Sequence, residues 1–299
     1  MSMRVTQNAV TTAMLAGLQT NKQQLSQLQL QLSSGRQLSK PSDDPVGTDQ
    51  AMRYRTELAR ANQYQRNGND GLAWLGTADG ALQSGVAILN RLRVLTTQAA
   101  NTGASDANAR TAISAEIDSL KSDMLGLANT TYLGRPIFGG TTSLNAAYVQ
   151  DPSSGVVSYQ GDTGAVTRTV GSNATVQVNV NAKDAFGPPG NDIFTMFDQI
   201  LGDLKNNPSN LTNDLNGIQT SLDRMTSAQS IEGAAYNRIT NMINLAGTHA
   251  DTLTGNLSDV ENVDTAKAAT ELTMQQVSYQ ASLAAMSKVL QLSLTDFLR

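Results

Sequence analysis

Large apolar residues recur every three or four positions at both ends of this chain, and neutral polar residues fill the positions between them. Near the front, Leu18, Leu25 and Leu32 are spaced by seven, with Met14 and Leu28 on an interleaved row. In the last forty residues, Val260 to Arg299, one row is Leu272, Tyr279 and Met286, and a second is Leu283, Leu290 and Phe297. That stretch holds no proline and seven charged side chains. Alternating three- and four-residue spacing is the pattern of a helix that buries one stripe against another helix. The two ends are therefore expected to pair along these residues as an assembly seam.

The seven prolines, at 41, 45, 136, 152, 188, 189 and 208, cut the rest into long proline-free blocks. A first helix is expected over about Gln7–Ser34, stopped at Gly35. In Lys40-Pro41-Ser42-Asp43-Asp44-Pro45, Asp44 reads as a helix cap with Pro45 in the first position, so Pro41, Asp43, Asp44 and Pro45 form a rigid inter-domain elbow. The adjacent carboxylates have no further ligand nearby and are a weak metal signal. A second helical block, Val46 to about Ala100, carries Leu75, Val86, Leu82 and Leu89 on one stripe. The poor helix formers of Asn67-Gly68-Asn69-Asp70-Gly71 are expected to kink or break it, with Trp74 as an anchor just beyond. After a turn at Asn101-Thr102-Gly103, a third helix with Ile113, Ile117, Leu120, Met124 and Leu127 ends near Asn129.

From Tyr132 the period changes to two. Ala147–Gln150, Val156–Gln160, Ala165–Val170 and Thr175–Val180 read as short strands. Gly187-Pro188-Pro189-Gly190 closes this insert, and a helix follows over Ile193–Leu204. Leu211, Leu215, Ile218, Leu222 and Met225 begin a stripe that Tyr236, Ile239, Ile243 and Ala246 continue, and Gly247 and Gly255 are expected to loosen the run before the last helix. The fold class is mainly α with a small β-rich insert. Residues 1–42 and 256–299 are the paired terminal helices of a coiled-coil assembly domain; 43–141 and 191–255 form a long helical bundle; 142–190 form a distal, β-rich outer domain.

Charged residues make up 15% of the chain, against about 25% in ordinary soluble domains. Long helices with neutral faces suit a protein whose copies lie against one another. Net charge is −4 with no basic stripe, so nucleic acid is not an expected partner. Residues 1–40 contain Arg4, Lys22, Arg36 and Lys40 and no acid, whereas 251–271 carry Asp251, Asp259, Glu261, Asp264 and Glu271 against Lys267. This favours contact between the ends and leaves parallel and antiparallel pairing equally open.

Candidate chemistry is sparse. There is no cysteine and one histidine, His249, with no second histidine for a zinc pair. No phosphate loop of the GxxxxGK[ST] type occurs. Asn-Xaa-Ser/Thr triplets at Asn129, Asn173, Asn210 and Asn256 are what such a composition yields by chance. No catalytic, metal or cofactor site is expected. No apolar run approaches the roughly 18 residues of a membrane span, and the first residues do not read as a cleaved signal peptide.

Leu32-Ser33-Ser34-Gly35-Arg36, Gln65-Arg66-Asn67-Gly68-Asn69-Asp70-Gly71 and Ala78-Asp79-Gly80-Ala81-Leu82 resemble the N-terminal region of bacterial flagellins. The elbow prolines, Tyr132-Leu133-Gly134-Arg135-Pro136-Ile137-Phe138-Gly139-Gly140, and Ser278-Tyr279-Gln280-Ala281-Ser282-Leu283 leading to Leu290-Gln291-Leu292-Ser293-Leu294, look more like the flagellar hook-associated protein of the FlgL type. The resemblance covers about 3–140 and 208–299. It implies a flagellin-like structural protein of the bacterial flagellum, serving motility. Such a protein is extracellular, secreted by type III export without a cleaved signal peptide. It also implies a homo-oligomeric ring at the hook–filament junction, between the other hook-associated protein and flagellin. A flagellar export chaperone would bind at its C-terminus, with no membrane insertion. Flagellin itself is the alternative reading. A secreted translocator would need an apolar inserting segment that is not found, and a protease-bearing flagellin would need HExxH.

Overall fold

The computed structural model describes residues 2–101 and 107–297, with side chains for 9–101 and 108–288. Among the described residues seven α-helices and six short strands follow in the order α1 (Ser2–Ser34), α2 (Pro45–Asn101), α3 (Ala107–Ala128), β1 (Thr131–Tyr132), β2 (Arg135–Pro136), β3 (Tyr148–Gln150), β4 (Val157–Tyr159), β5 (Thr167–Gly171), β6 (Ala174–Gln177), α4 (Ala182–Ala185), α5 (Ile193–Asn206), α6 (Leu211–Glu261) and α7 (Thr265–Phe297), with a single 3-10 turn at Pro208–Asn210 before α6. Thr102 and Gly103 of the expected turn lie outside the described residues. The chain divides into two compact units, Met1–Ala59 with His249–Arg299, and Arg60–Thr248.

In the first unit α1 and α7 pair antiparallel. Helix α1 stops at Gly35, whose φ of 70° is the left-handed cap geometry that glycine adopts without a Cβ penalty. The next residues meet the end of α6: Val263 N donates to Gly35 O (3.0 Å) and Gln37 N to Glu261 O (2.7 Å), around an antiparallel bridge between Arg36 and Asn262. Gly247 and Gly255 do not loosen α6, which runs unbroken to Glu261. The break falls at Asn262–Asp264, where the Asp264 carboxylate accepts from Ala266 N and Lys267 N, both at 3.0 Å, and starts a new helix.

In the second unit α2 and α6 pack antiparallel, and α2 passes through Asn67–Gly71 without a break. The reason is close approach. A Cβ on Gly68 would fall 2.5 Å from Ile243, and one on Gly71 would fall 3.1 Å from both Ile239 and Val178. These glycines therefore admit neighbours and do not bend the helix, and burial of the partner residues offsets their poor helix propensity. Further along, Gly85 admits Met225 in the same way.

The β-rich segment is three separate two-stranded antiparallel ladders, β1–β2, β3–β4 and β5–β6. The β1–β2 hairpin and α4 are not evident in the periodicity. Positive φ at both Leu133 (48°) and Gly134 (77°) makes the tight turn that joins β1 to β2. Val157, Val166, Val170, Val176, Val178 and Val180 face the same core as Leu82, Leu89, Ile117, Met124 and Ile218 of the helices. Within it Phe186 meets Phe138 and Tyr148 edge-on, with centroids 4.9 and 5.6 Å apart, and Phe194 lies tilted against Tyr148 at 5.0 Å.

Candidate assembly interface

The stripe that α1 turns from solvent contains Met14, Leu18, Leu25, Leu28 and Leu32, all half-buried, with Asn21 and Gln31 among them. On α7 the corresponding stripe is Ala268, Leu272, Gln275, Tyr279, Ser282 and Met286. Leu283 stands outside it, 44% exposed. The seven-residue row next to Leu272, Tyr279 and Met286 is thus Ala268, Gln275 and Ser282, not the row of Leu283. The side chains of Leu290 and Phe297 lie outside the described residues.

Polar residues occupy the middle of this pair. Asn21 Nδ2 donates to Ser282 Oγ (3.1 Å), and Gln275 Nε2 donates to Gln24 Oε1 (3.0 Å) and to Asn21 O and Oδ1 (both 3.3 Å). A polar layer among apolar ones pairs well in one register only, so it fixes the antiparallel alignment. Among the described side chains of α1 none is buried, and on α7 only Ala268 is. A two-helix stem has no third surface to close over its seam. Val10, Leu15 and Leu30 of α1, and Met274 and Val277 of α7, are exposed as well.

The elbow is an exposed turn built on its two carboxylates. Asp43 Oδ2 accepts from Lys40 N (2.9 Å), and Asp44 Oδ1 accepts from Val46 N and Gly47 N (both 3.0 Å). Pro41 and Pro45 flank them, and Pro45 takes the first position of α2, where its missing N–H costs nothing. The acid-rich end of α6 finds its cation on α2: the buried Glu261 accepts from Arg55 at 2.8 and 2.9 Å. Sequence reasoning matched those acids with the basic first forty residues and missed this pair.

In the second unit Trp74 is the buried anchor of α2. Tyr132 meets it edge-on at 5.6 Å, and the guanidinium groups of Arg135 and Arg168 lie 5.9 and 5.8 Å from its ring. Asp70, one turn earlier, accepts from Arg168 Nε (2.6 Å) and from the Tyr132 hydroxyl (3.2 Å), while Asn67 Nδ2 reaches Thr169 O (2.8 Å). Burial and the charge of Asp70 hold the Tyr132 hydroxyl above the usual tyrosine range. The polar residues between Asn67 and Asp70 are therefore the dock for β5, which explains their presence in a helix.

Among the described buried polar atoms that lack a partner, Trp74 Nε1 included, the carboxyl of Glu232 stands out because both of its oxygens do. Glu232 of α6 is 3% exposed, and neither of its carboxylate oxygens has a well-formed hydrogen bond. Burial, and then the charge of Asp79, push its carboxyl up to about 8. It stands on a seven-residue row, Ile218, Met225, Glu232, Ile239 and Ala246, whose other members are buried and apolar. That interruption was the readable signal for it.

Among the described residues no group of three or more His, Cys, Asp or Glu could hold a metal, and no helix is long and apolar enough to cross a membrane.

Comparison with known proteins matches both helical ends of the chain. The model of the bacterial flagellin N-terminal helical region matches residues 5–143, and that of the C-terminal helical region matches 215–298. Bacillus subtilis flagellin is 27% identical over 302 residues, covering 96% of both chains. By structure, the chain is similar to a flagellar hook-associated protein from Vibrio parahaemolyticus, with a TM-score of 0.67 and 20% identity over 74% of this chain and 100% of that one. It is also similar to Bacillus cereus FlgL, with a TM-score of 0.59 and 23% identity over 69% and 99%. With both helical regions matched and the fold shared with FlgL-type hook-associated proteins, the chain belongs to the flagellin family of structural flagellar proteins.

Proposed function

We propose that this protein forms the junction ring of the bacterial flagellum, joining the hook, through the other hook-associated protein, to the flagellin filament. The observation that carries the reading is the fold shared with FlgL-type proteins along nearly their whole length. The paired α1–α7 stem supports it: the stripe of Met14, Leu18, Leu25, Leu28 and Leu32 is only half-covered within one chain. Neighbouring copies would bury that stripe, Leu283 and the C-terminal Leu290 and Phe297, coupling the folding of the stem to assembly. The elbow from Pro41 to Pro45 would set the turn from α1 into α2 within this assembly unit. Export without a cleaved signal, with a chaperone held at the C-terminus until the stem is buried, completes the reading.

Gene deletion is the test. Loss of filaments with flagellin released into the medium is the expected result; loss of the flagellin band itself would overturn the junction reading. That second result would favour flagellin, the alternative raised by the likeness to Bacillus subtilis flagellin over 96% of both chains.

A further inference from the structure

Between α2 and α6 lies a groove of about 290 Å³ lined by Leu75, Gly76, Asp79, Glu232, Gly233 and Tyr236. Glu232 is 97% buried, by its 3% exposure, and neither oxygen has a well-formed hydrogen bond; the Asp79 backbone amide only partly offsets its burial. A buried carboxylate without a partner is costly, and native structures supply one. Asp79 lines the same groove and sets a second carboxyl group beside it. Among the described residues its own side chain accepts only from Gln83 Nε2, at 2.8 Å. The groove is kept open by Gly76 and Gly233, whose missing Cβ atoms would meet nothing within 4 Å.

We propose that this groove receives the cationic side chain of an arginine or lysine from an adjacent copy of the chain. The inference rests on the self-assembly in the function proposed above. The ion pairs found in the second unit, Arg91–Glu116, Lys121–Asp198 and Arg168–Asp70, leave both groove carboxylates unused. A guanidinium or ammonium group has the charge and the donors that two carboxylates require. Tyr236, 44% exposed at the rim, adds an aromatic face on which such a group rests. A divalent cation is less suited, because no third carboxylate, histidine or cysteine joins the pair among the described residues. In a ring of like copies each contact joins two different surfaces. The cation therefore comes from elsewhere on the chain, where exposed residues such as Lys183 and Lys205 are available.

The chain has no cysteine, so Gly233→Cys places a single thiol in the groove of the otherwise unchanged protein. The experiment compares its rate of maleimide labelling in the exported monomer and in isolated flagella. Labelling at least tenfold slower in flagella is expected, with the difference falling below threefold when Glu232→Gln or Asp79→Asn is added. Equal rates in monomer and flagella overturn the proposal. So does protection of the monomer by 1 mM calcium or magnesium, which would assign the groove to a free ion. Tenfold protection unchanged by both carboxylate variants also overturns it, since the groove would then be covered without a cation. Absence of the chain from isolated flagella is a separate result, and it overturns the function proposed above together with this inference. Thermal melting of each variant monomer confirms that the labelled species is folded.

Discussion

The Cβ that Gly68 lacks would lie 2.5 Å from Ile243 Cγ1 and 2.9 Å from its Cδ1. A residue type that weakens isolated helices thus sits where two long helices touch. Gly68→Ala gains about 1 kcal/mol in helix propensity but overpacks a formed contact at a cost of about 1–3 kcal/mol. Net destabilisation on the order of 1 kcal/mol is expected in urea unfolding. Gly126→Ala on α3, where the added methyl meets nothing within 4 Å, is the control. It is expected to stabilise by about 0.5–1 kcal/mol.

Glu232 makes stability fall as the pH rises. Its carboxyl is raised from the ordinary 4.5 to about 8 in the folded chain. Between these values the native state holds a proton that the unfolded state has lost. The stabilisation is complete below pH 4.5 and disappears as the pH rises through about 8. Glu232→Gln removes this dependence and raises monomer stability at pH 8 by roughly 1–3 kcal/mol, the cost of leaving such a group buried and unpaired. Melting temperatures of the two proteins from pH 5 to 9 measure it; parallel curves would contradict the assignment.

Asn21 sets register more than strength. Its bonds to Ser282 and Gln275 hold one alignment of α1 on α7, while Met14 and Leu28, seven residues to either side, are apolar. In Asn21→Leu the pair is expected to keep its helicity and lose the single alignment. Analytical ultracentrifugation then shows mixed oligomers, and filament attachment in a complemented strain falls. Unchanged sedimentation and attachment would remove the polar layer from the account of alignment.

Asp264 separates α6 from α7. Its carboxylate satisfies two N–H groups at the start of α7, and Asp264→Ala is expected to cost about 1 kcal/mol, the usual loss of an aspartate cap. Hydrogen exchange of the amides of Ala266 and Lys267 should rise while those around Leu82 and Ile117 keep their protection. Asp44→Ala is the matched variant at the start of α2.

Much of the helical architecture was legible in the spacing of large residues. Ile113, Ile117 and Met124 on α3, and Leu211, Ile218 and Met225 on α6, are buried as their periodicity requires. Breaks were less legible, because composition reports propensity and not contact. Gly68, Gly71, Gly247 and Gly255 read as weak points, yet the helices run through all four. Two of the four strand segments, β3 and β4, are one residue shorter at one or both ends than expected; Ala165–Val170 moved to Thr167–Gly171, and Thr175–Val180 to Ala174–Gln177. On α7 the count of leucines pointed to the row of Leu283, whereas Gln275 and Ser282 face α1. Hydrophobicity ranks rows, but the hydrogen bonds available to Asn21 rank registers.

By itself the sequence determined which long segments are helical, that an alternating segment interrupts them, and that both ends carry a stripe in search of a partner. Periodicity is local, so one chain displays it without any neighbour. Only the tertiary structure decided that the ends run antiparallel, that Asp70 docks a strand through Arg168, and that Glu232 is buried with nothing to hold. Each of those depends on which residues, distant along the chain, come within a few ångströms of each other, and a one-dimensional pattern does not contain that distance.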